Sequence, residues 1–299
     1  MIEFTQKIIF WNMKNCWIKV VVIVAVMFAC SIALATGAKA GKIKTFVSIV
    51  PQKCFVKKIG GNQVDVSVMV LPGNSPVTYE PKPRQMAELS TTKIFFTIGV
   101  PFEKVWLKKI AATNTRMLVV HTDAGIEKEP MNGDRPHGIK DPHVWLSPPL
   151  VMVQARHILS ALLKADPDNS SIYVANYKKF IMEIIDIDAE LQQIFLGREG
   201  AKFMVFHPAW GYFARTYGLR MVSIEREGKA PKPVNLQHLI GKAKEQGIDV
   251  VFVQPQFSTK SAEIIAKEIG GQVAFADSLA LDWAKNLKEV AAKFNAALR

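Results

Sequence analysis

The sequence has few cysteines, and this scarcity limits how the fold can be stabilised. Only Cys16, Cys30 and Cys54 occur in 299 residues, and the first two lie in an apolar N-terminal segment. If that segment is removed, Cys54 alone remains and no disulfide can form within the chain. We interpret Cys54 as a small buried residue that follows a strand, with a soft metal ligand as the less favoured alternative.

The sequence also lacks any run of basic residues, although its formal net charge is +12. Lys and Arg are scattered singly or in pairs such as Lys57-Lys58, with no aromatic side chains interleaved among them. Nucleic-acid binding needs a clustered basic surface, so no nucleic-acid partner is expected. Hydrophobic residues at 49% and charged residues at 21% are typical of an ordinary globular protein.

The signatures of the common enzyme classes are missing as well. The chain contains no His-Glu-x-x-His helix, no paired-cysteine finger, no Gly-x-Ser-x-Gly elbow and no phosphate-binding glycine loop. Sequence motifs therefore indicate no particular reaction.

Residues 1–40 have the organisation of an export signal. Lys14 and Lys19 precede an apolar run from 20 to 35, and Ala38-Lys39-Ala40 has the small residues of a cleavage site. We predict a signal peptide that is cleaved after Ala40 and a mature protein in the periplasm. An uncleaved membrane anchor and a lipid anchor at Cys30 are the alternatives.

Short β-branched segments alternate with longer amphipathic ones from residue 43 onward, which predicts parallel sheets flanked by helices. The predicted strands of the first half are 43–50, 64–71, 94–98 and 117–121, and its helices are 51–59, 83–89, 102–112 and 149–163. The second half has predicted strands at 203–206, 221–224, 250–253 and 273–276, and helices at 209–217, 236–246, 258–269 and 283–298.

A long helix is predicted between the two halves, capped by Asp168 or Asn169 and ending near Phe195. Its expected apolar stripe comprises Ile172, Tyr173, Phe180, Ile184, Ile187 and Leu191. The predicted fold is therefore α/β, with two lobes that each hold a mainly parallel sheet flanked by helices, joined by one long rigid helix. The predicted ranges are 1–40 for the signal, 41–165 and 199–299 for the lobes, and 166–198 for the linking helix.

Three polar residues mark a candidate binding site. His207 and Asp277 directly follow predicted strands of the second half, where open α/β sheets place their ligands. His143 lies in the proline-bracketed segment 141–148 of the first half, so a ligand held by all three would lie between the lobes. Two imidazoles and a carboxylate suit Zn²⁺. Each residue alone is also explained by packing, a helix start or a turn cap.

Five segments carry a resemblance to a known family. They are VLPGNSPVTYEPKP (70–83), DPHVWLSP (141–148), FHPAWGYFARTYGL (206–219), VFVQPQFS (251–258) and FADSLALDW (275–283). Together they resemble the zinc/manganese-type solute-binding proteins of bacterial metal ABC importers, with the zinc branch most similar. The resemblance implies one divalent metal ion held between two lobes and delivered to an inner-membrane permease.

The resemblance also implies the ligands. Its second, third and fourth ligand positions match His143, His207 and Asp277, but Val77 stands where the family has its first histidine. Water could fill that position, or Glu80, His121 or His137 could substitute. The site could instead prefer Mn²⁺ or Fe²⁺, or the protein could have lost metal transport.

We expect retained metal binding by a monomer that is not an enzyme. One alternative is a hydrolytic zinc site with Glu80 as general base. Another is an adhesin-like surface interaction protein with a degenerate metal site, which the loss of the histidine at position 77 would favour.

Overall fold

Four short parallel strands form the sheet of the first lobe in the computed structural model, which describes residues 41–131, 140–225, 233–257 and 259–298. The strands are β1 (Ile43–Val47), β2 (Val64–Val68), β3 (Ile94–Thr97) and β4 (Leu118–His121). Their order in the sheet is β2-β1-β3-β4. Because every pair is parallel, all four carboxyl ends lie on one edge of the sheet.

The helices of the first lobe share one local feature, a proline in their first two positions. They are α1 (Val50–Gly60), α2 (Pro83–Leu89), α3 (Pro101–Thr113) and α4 (Pro148–Ala165). Proline suits a helix start because its fixed φ is helical and its missing N–H would have no partner there. Cys54 lies on α1, where it is half-buried, and not directly after a strand as predicted.

The long helix between the lobes is α5 (Ser170–Ile194), which has 25 residues. Five of its predicted apolar residues are buried, namely Tyr173, Phe180, Ile184, Ile187 and Leu191. The prediction was wrong for Ile172, which is 40% exposed. Asn169 occupies the N-cap position but makes no capping hydrogen bond, because its side-chain oxygen Oδ1 accepts from Gln63 Nε2 at 3.2 Å instead.

The second lobe repeats the plan of the first. Its strands are β5 (Lys202–Val205), β6 (Arg220–Ser223), β7 (Val250–Val253) and β8 (Gln272–Phe275), in the order β6-β5-β7-β8. Its helices are α6 (Gly211–Thr216), α7 (Pro233–Glu245), α8 (Lys260–Ile269) and α9 (Trp283–Ala297). The predicted two-lobed α/β fold is confirmed. The exact lobe boundaries remain a prediction.

The two lobes and the long helix share one hydrophobic core. Trp283 of α9 packs edge-on against Phe55 of α1, with 5.3 Å between ring centroids, and both rings also contact Phe180 of α5. A second cluster lies on the other side of the second sheet, against α7 and α8. None of the described helices is both long and apolar enough to cross a membrane.

Two indole groups tie the segment after His143 to the second lobe. Trp145 donates from Nε1 to the carbonyl oxygen of Ser278 at 2.7 Å, and Trp283 donates from Nε1 to the carbonyl oxygen of Trp145 at 2.7 Å. Both indoles are almost fully buried. The segment that carries His143 is therefore fixed directly to the segment that carries Asp277.

We expect Trp145→Phe to lower the free energy of unfolding by about 1–3 kcal/mol beyond the cost of the lost volume, because it leaves the Ser278 carbonyl oxygen buried without a donor. Trp210→Phe is the matched control, since Trp210 is equally buried but its Nε1 has no hydrogen-bond partner among the residues that the structure describes. Urea unfolding of both variants gives the comparison. Equal losses would show that the Trp145 hydrogen bond contributes nothing.

Candidate metal centre

A cleft lined by both lobes contains the two predicted histidines. His143 and Val77 of the first lobe line it together with His207, Gln256 and Ser278 of the second. The ring centroids of His143 and His207 are 5.2 Å apart, and the rings are close to perpendicular. The structure thus brings together two residues that are 64 positions apart in the sequence.

Asp141 fixes the orientation of His143. One carboxylate oxygen, Oδ1, accepts the His143 backbone N–H at 2.9 Å and lies 2.7 Å from the ring Nδ1. Because an ionised carboxylate only accepts, Nδ1 carries the proton and Nε2 keeps a lone pair. Asp141-Pro142-His143 therefore presents the ring in the tautomer that a metal ion requires.

Two residues of the second lobe lie against Asp141. Tyr212 donates from its hydroxyl to the Asp141 carbonyl oxygen at 3.2 Å. Gly211 lies so close that a Cβ atom there would be 2.9 Å from Asp141 Oδ2. A larger residue at position 211 would displace the carboxylate, and through it the ring of His143.

Glu225 fixes the orientation of His207 in the same way that Asp141 fixes that of His143. Glu225 Oε2 lies 3.1 Å from His207 Nδ1, and both residues are buried. His207 also stacks on Phe257, with 4.6 Å between ring centroids, while the Gln254 amide bonds to the His207 backbone at its N–H and its carbonyl oxygen. Burial lowers the pKa of His207, and the Glu225 carboxylate partly opposes this effect. The neutral imidazole that coordinates metals is therefore favoured.

The spacing of the two rings fits a shared zinc ion. With a Zn–N distance of about 2.1 Å and a tetrahedral angle, two ligating imidazoles have ring centres about 5 Å apart. The observed separation is 5.2 Å. Carboxylate–histidine pairs on both sides also match the way that proteins orient imidazole ligands for zinc.

The chain matches a known protein family over most of its length. The family described as "ZnuA: Zinc-uptake complex component A periplasmic" matches residues 46–297. The chain belongs to this family. Members of the zinc-uptake family serve as periplasmic solute-binding components of metal transport, and the expected resemblance is therefore confirmed.

Individual proteins that are similar to the chain are also described by zinc uptake or zinc binding. A crystal structure of ZnuA is 46% identical to the chain, with a TM-score of 0.82, and the match covers 86% of this chain and 99% of that one. The high-affinity zinc uptake system protein ZnuA of Bacillus subtilis is 27% identical, over 82% of this chain and 81% of the relative. Zinc-binding protein AdcA of Streptococcus pyogenes serotype M3 is 26% identical over 84% of this chain, which spans about half of that relative, 53%.

Asp277, the third residue that the zinc-uptake resemblance points to, stands beside the histidine pair and not within it. Its Oδ1 accepts hydrogen bonds from the Leu279 backbone N–H at 2.9 Å and from Gln256 Nε2 at 3.1 Å. Across the described ranges, no three His, Cys, Asp or Glu side chains lie close enough together to hold one ion. Its neighbours Ser278 and Leu279 do line the cleft.

Val77 lies where the resemblance places the first histidine of the family. It lines the cleft with His143 and His207 and is 45% exposed. Of the three predicted substitutes, Glu80 is exposed and does not line the cleft. His121 is also exposed, with Nδ1 2.9 Å from Thr97 Oγ1. His137 lies outside the described residues.

Sequence reasoning missed the two carboxylates that orient the histidines and the amide that holds Asp277. Asp141 was visible as part of Asp-Pro-His, because an Asp two residues before a His can accept from its backbone and ring. Glu225 lies just past the end of β6, at the carboxyl edge of the sheet, where α/β proteins place their ligands. Gln256 follows β7 in the same way but gave no signal, because a single Gln in a loop is unremarkable.

Proposed function

We propose that the protein captures one Zn²⁺ ion in the cleft between its lobes and delivers it to the permease of an ABC importer. The observation that supports this most is the pair of imidazoles at tetrahedral spacing, each held at Nδ1 by a buried carboxylate. Packing alone does not require both rings to be fixed in the same tautomer at one cleft.

In this proposal the ligands are His143 Nε2, His207 Nε2 and the Asp277 carboxylate. Asp277 binds the ion through Oδ2 when its segment, whose residues Ser278 and Leu279 already line the cleft, closes on the ion, while Oδ1 keeps its hydrogen bonds to Gln256 and Leu279. Val77 supplies no donor, so the ion keeps one position outside the protein ligand set. Such a site holds its ion less tightly than one with four protein ligands, which suits a protein that must release the ion to a permease.

Two nitrogen donors and one carboxylate favour Zn²⁺ over Mn²⁺, which prefers sites richer in oxygen. Fe²⁺ is the nearer competitor, because imidazole also suits iron. The cleft wall is largely apolar on the first-lobe side, where Val77, Val100 and Pro101 lie. No carboxylate is among the described residues that line that wall, which supports zinc as the preferred ion.

The direct test is the metal content of protein refolded from denaturant with Zn²⁺, Mn²⁺ or Fe²⁺ and then freed of loosely bound ions. We expect one zinc per chain by elemental analysis, and displacement of Mn²⁺ and Fe²⁺ by Zn²⁺ in competition. Protein that retains none of the three ions would contradict the proposed function. Tighter binding of Fe²⁺ or Mn²⁺ than of Zn²⁺ would contradict the choice of metal.

We predict that Asp141→Asn and Glu225→Gln each lower zinc affinity about 10- to 100-fold, as loss of a carboxylate behind a metal-bound imidazole commonly does. Both changes keep the size of the side chain, so the fold should persist. Titration against a chromophoric zinc chelator gives the affinities. Glu183→Gln is the control, because Glu183 forms an ion pair with Lys58 on the surface. Unchanged affinity in both site variants would contradict the orienting role.

The remaining features of the proposal concern the whole protein. Residues 1–40 act as a cleaved signal peptide, which places the protein in the periplasm without a lipid anchor at Cys30. The protein acts as a monomer and binds no nucleic acid. It performs no hydrolysis, which is supported by the position of Glu80, the general base of the hydrolytic alternative, outside the residues that line the cleft.

A further inference from the structure

Gln256 is a polar residue of the cleft that the proposed ligand set leaves without a role in metal binding. It follows β7 and lines the cleft together with Val77, His143 and His207. It therefore lies at the carboxyl edge of the second sheet, the same edge that carries His207 and Asp277.

The two ends of the Gln256 amide have different surroundings. Nε2 donates to Asp277 Oδ1 at 3.1 Å. Oε1 is buried and has no hydrogen-bond partner among the described residues. A buried acceptor without a donor is unfavourable and uncommon in native proteins, and it commonly marks a place where an ion or an ordered water binds.

The chemistry of its partner determines the orientation of this amide. The Asp277 carboxylate can only accept, so the amide must turn its NH₂ group toward it. Oε1 then necessarily faces away from Asp277. As long as Gln256 holds Asp277, its oxygen takes no part in that contact and can accept another hydrogen bond.

Val77 leaves one coordination position of the ion without a protein ligand. It lies at the position of the missing histidine, it is 45% exposed, and it cannot coordinate an ion. A zinc ion with three protein ligands normally takes water as its fourth ligand. That water carries two hydrogens and needs an acceptor within the cleft.

We propose that Gln256 compensates for the histidine missing at position 77. Nε2 positions the Asp277 carboxylate, and Oε1 accepts a hydrogen bond from the water that completes the coordination of the ion. This inference rests on the proposed capture of zinc by His143, His207 and Asp277, and it assigns Gln256 as a positioning residue, not a ligand. Direct coordination by the amide oxygen is disfavoured, because amide oxygens suit harder cations than zinc.

The test is a double-mutant cycle between positions 256 and 77. Gln256→Met keeps the approximate shape of the side chain but removes both donor and acceptor, and Val77→His supplies a ligand that displaces the water. We expect Gln256→Met alone to lower zinc affinity about 10- to 100-fold, as loss of an outer-shell partner does. In the Val77→His background the loss should be several-fold smaller, because there is no longer a water for Oε1 to hold.

Gln246→Met is the matched control. Gln246 also has a buried Oε1 without a partner among the described residues, but it does not line the cleft. Its substitution should leave zinc affinity unchanged. If Gln256→Met fails to fold, Gln256→Asn replaces it, because an amide that is one methylene shorter cannot reach both Asp277 and the water.

Visible absorption of the Co²⁺-loaded protein provides a readout that general destabilisation would not move. Gln256→Met should shift the Co²⁺ bands of the wild type more than those of the Val77→His variant, in which only the contact with Asp277 is lost. Equal losses of zinc affinity in the two backgrounds, or no loss in either, would overturn this inference while leaving zinc capture intact. A wild-type protein that binds no zinc would overturn the proposed function, and this inference with it.

Discussion

His207→Ala is expected to lower zinc affinity roughly 1,000-fold. Zinc held by four protein ligands is bound with roughly 10–16 kcal/mol, about 3 kcal/mol per ligand, and each 1.4 kcal/mol corresponds to about a tenfold change in affinity. Loss of one ligand therefore costs about 100-fold. Removal of His207 also leaves the buried Glu225 carboxylate without its partner, which increases the loss because an unpaired buried charge is costly.

His143→Ala should have a similar effect, because Asp141 is equally buried behind that ring. Both variants are measured by competition with a chromophoric chelator, with circular dichroism to verify the fold. His121→Ala is the matched control, since His121 is an exposed histidine of the same chain that does not line the cleft. Zinc affinity that survives in both cleft variants would contradict the assigned site.

Local sequence pattern was enough to predict the architecture. Strands such as Val250–Val253 are fully buried runs of β-branched and aromatic residues, and their alternation with amphipathic helices allows only parallel sheets flanked by helices. The error lay in the membership of the apolar stripe. Ile172 is 40% exposed because it directly precedes Tyr173 and so lies about 100° around α5 from it, off the face that the five buried residues share.

The candidate site was predictable only in part. His143 and His207 could be paired, because one follows a strand and the other lies in a stiff proline-bracketed segment, and the family resemblance joins them. The partners of those rings depend on distances between segments that are far apart in sequence. Glu225 lies 18 residues after His207, and Gln256 bonds to a residue 21 positions later. Nor could the sequence show that Asp277 is held by Gln256 and Leu279 beside the histidine pair.

Val77→His is expected to raise zinc affinity about 100-fold, because it restores a fourth protein ligand. Such a ligand contributes about 3 kcal/mol, from which the contribution of the displaced water must be subtracted. The site should accommodate the ring. Val77 lines the same cleft as His143 and His207 and is 45% exposed, so a longer side chain meets solvent and not packed core. Zinc should also dissociate more slowly, which stopped-flow chelation measures.

Val77→Leu is the control for this gain, because it enlarges the side chain without adding a donor. It should leave zinc affinity near that of the wild type. If Val77→His bound zinc no more tightly than Val77→Leu, position 77 would lie out of reach of the ion, and another donor would already fill the fourth position. If both variants bound more tightly, exclusion of water from the cleft would be the cause. Only a gain confined to Val77→His supports the conclusion that this chain has exchanged a protein ligand for water at the entrance of the cleft.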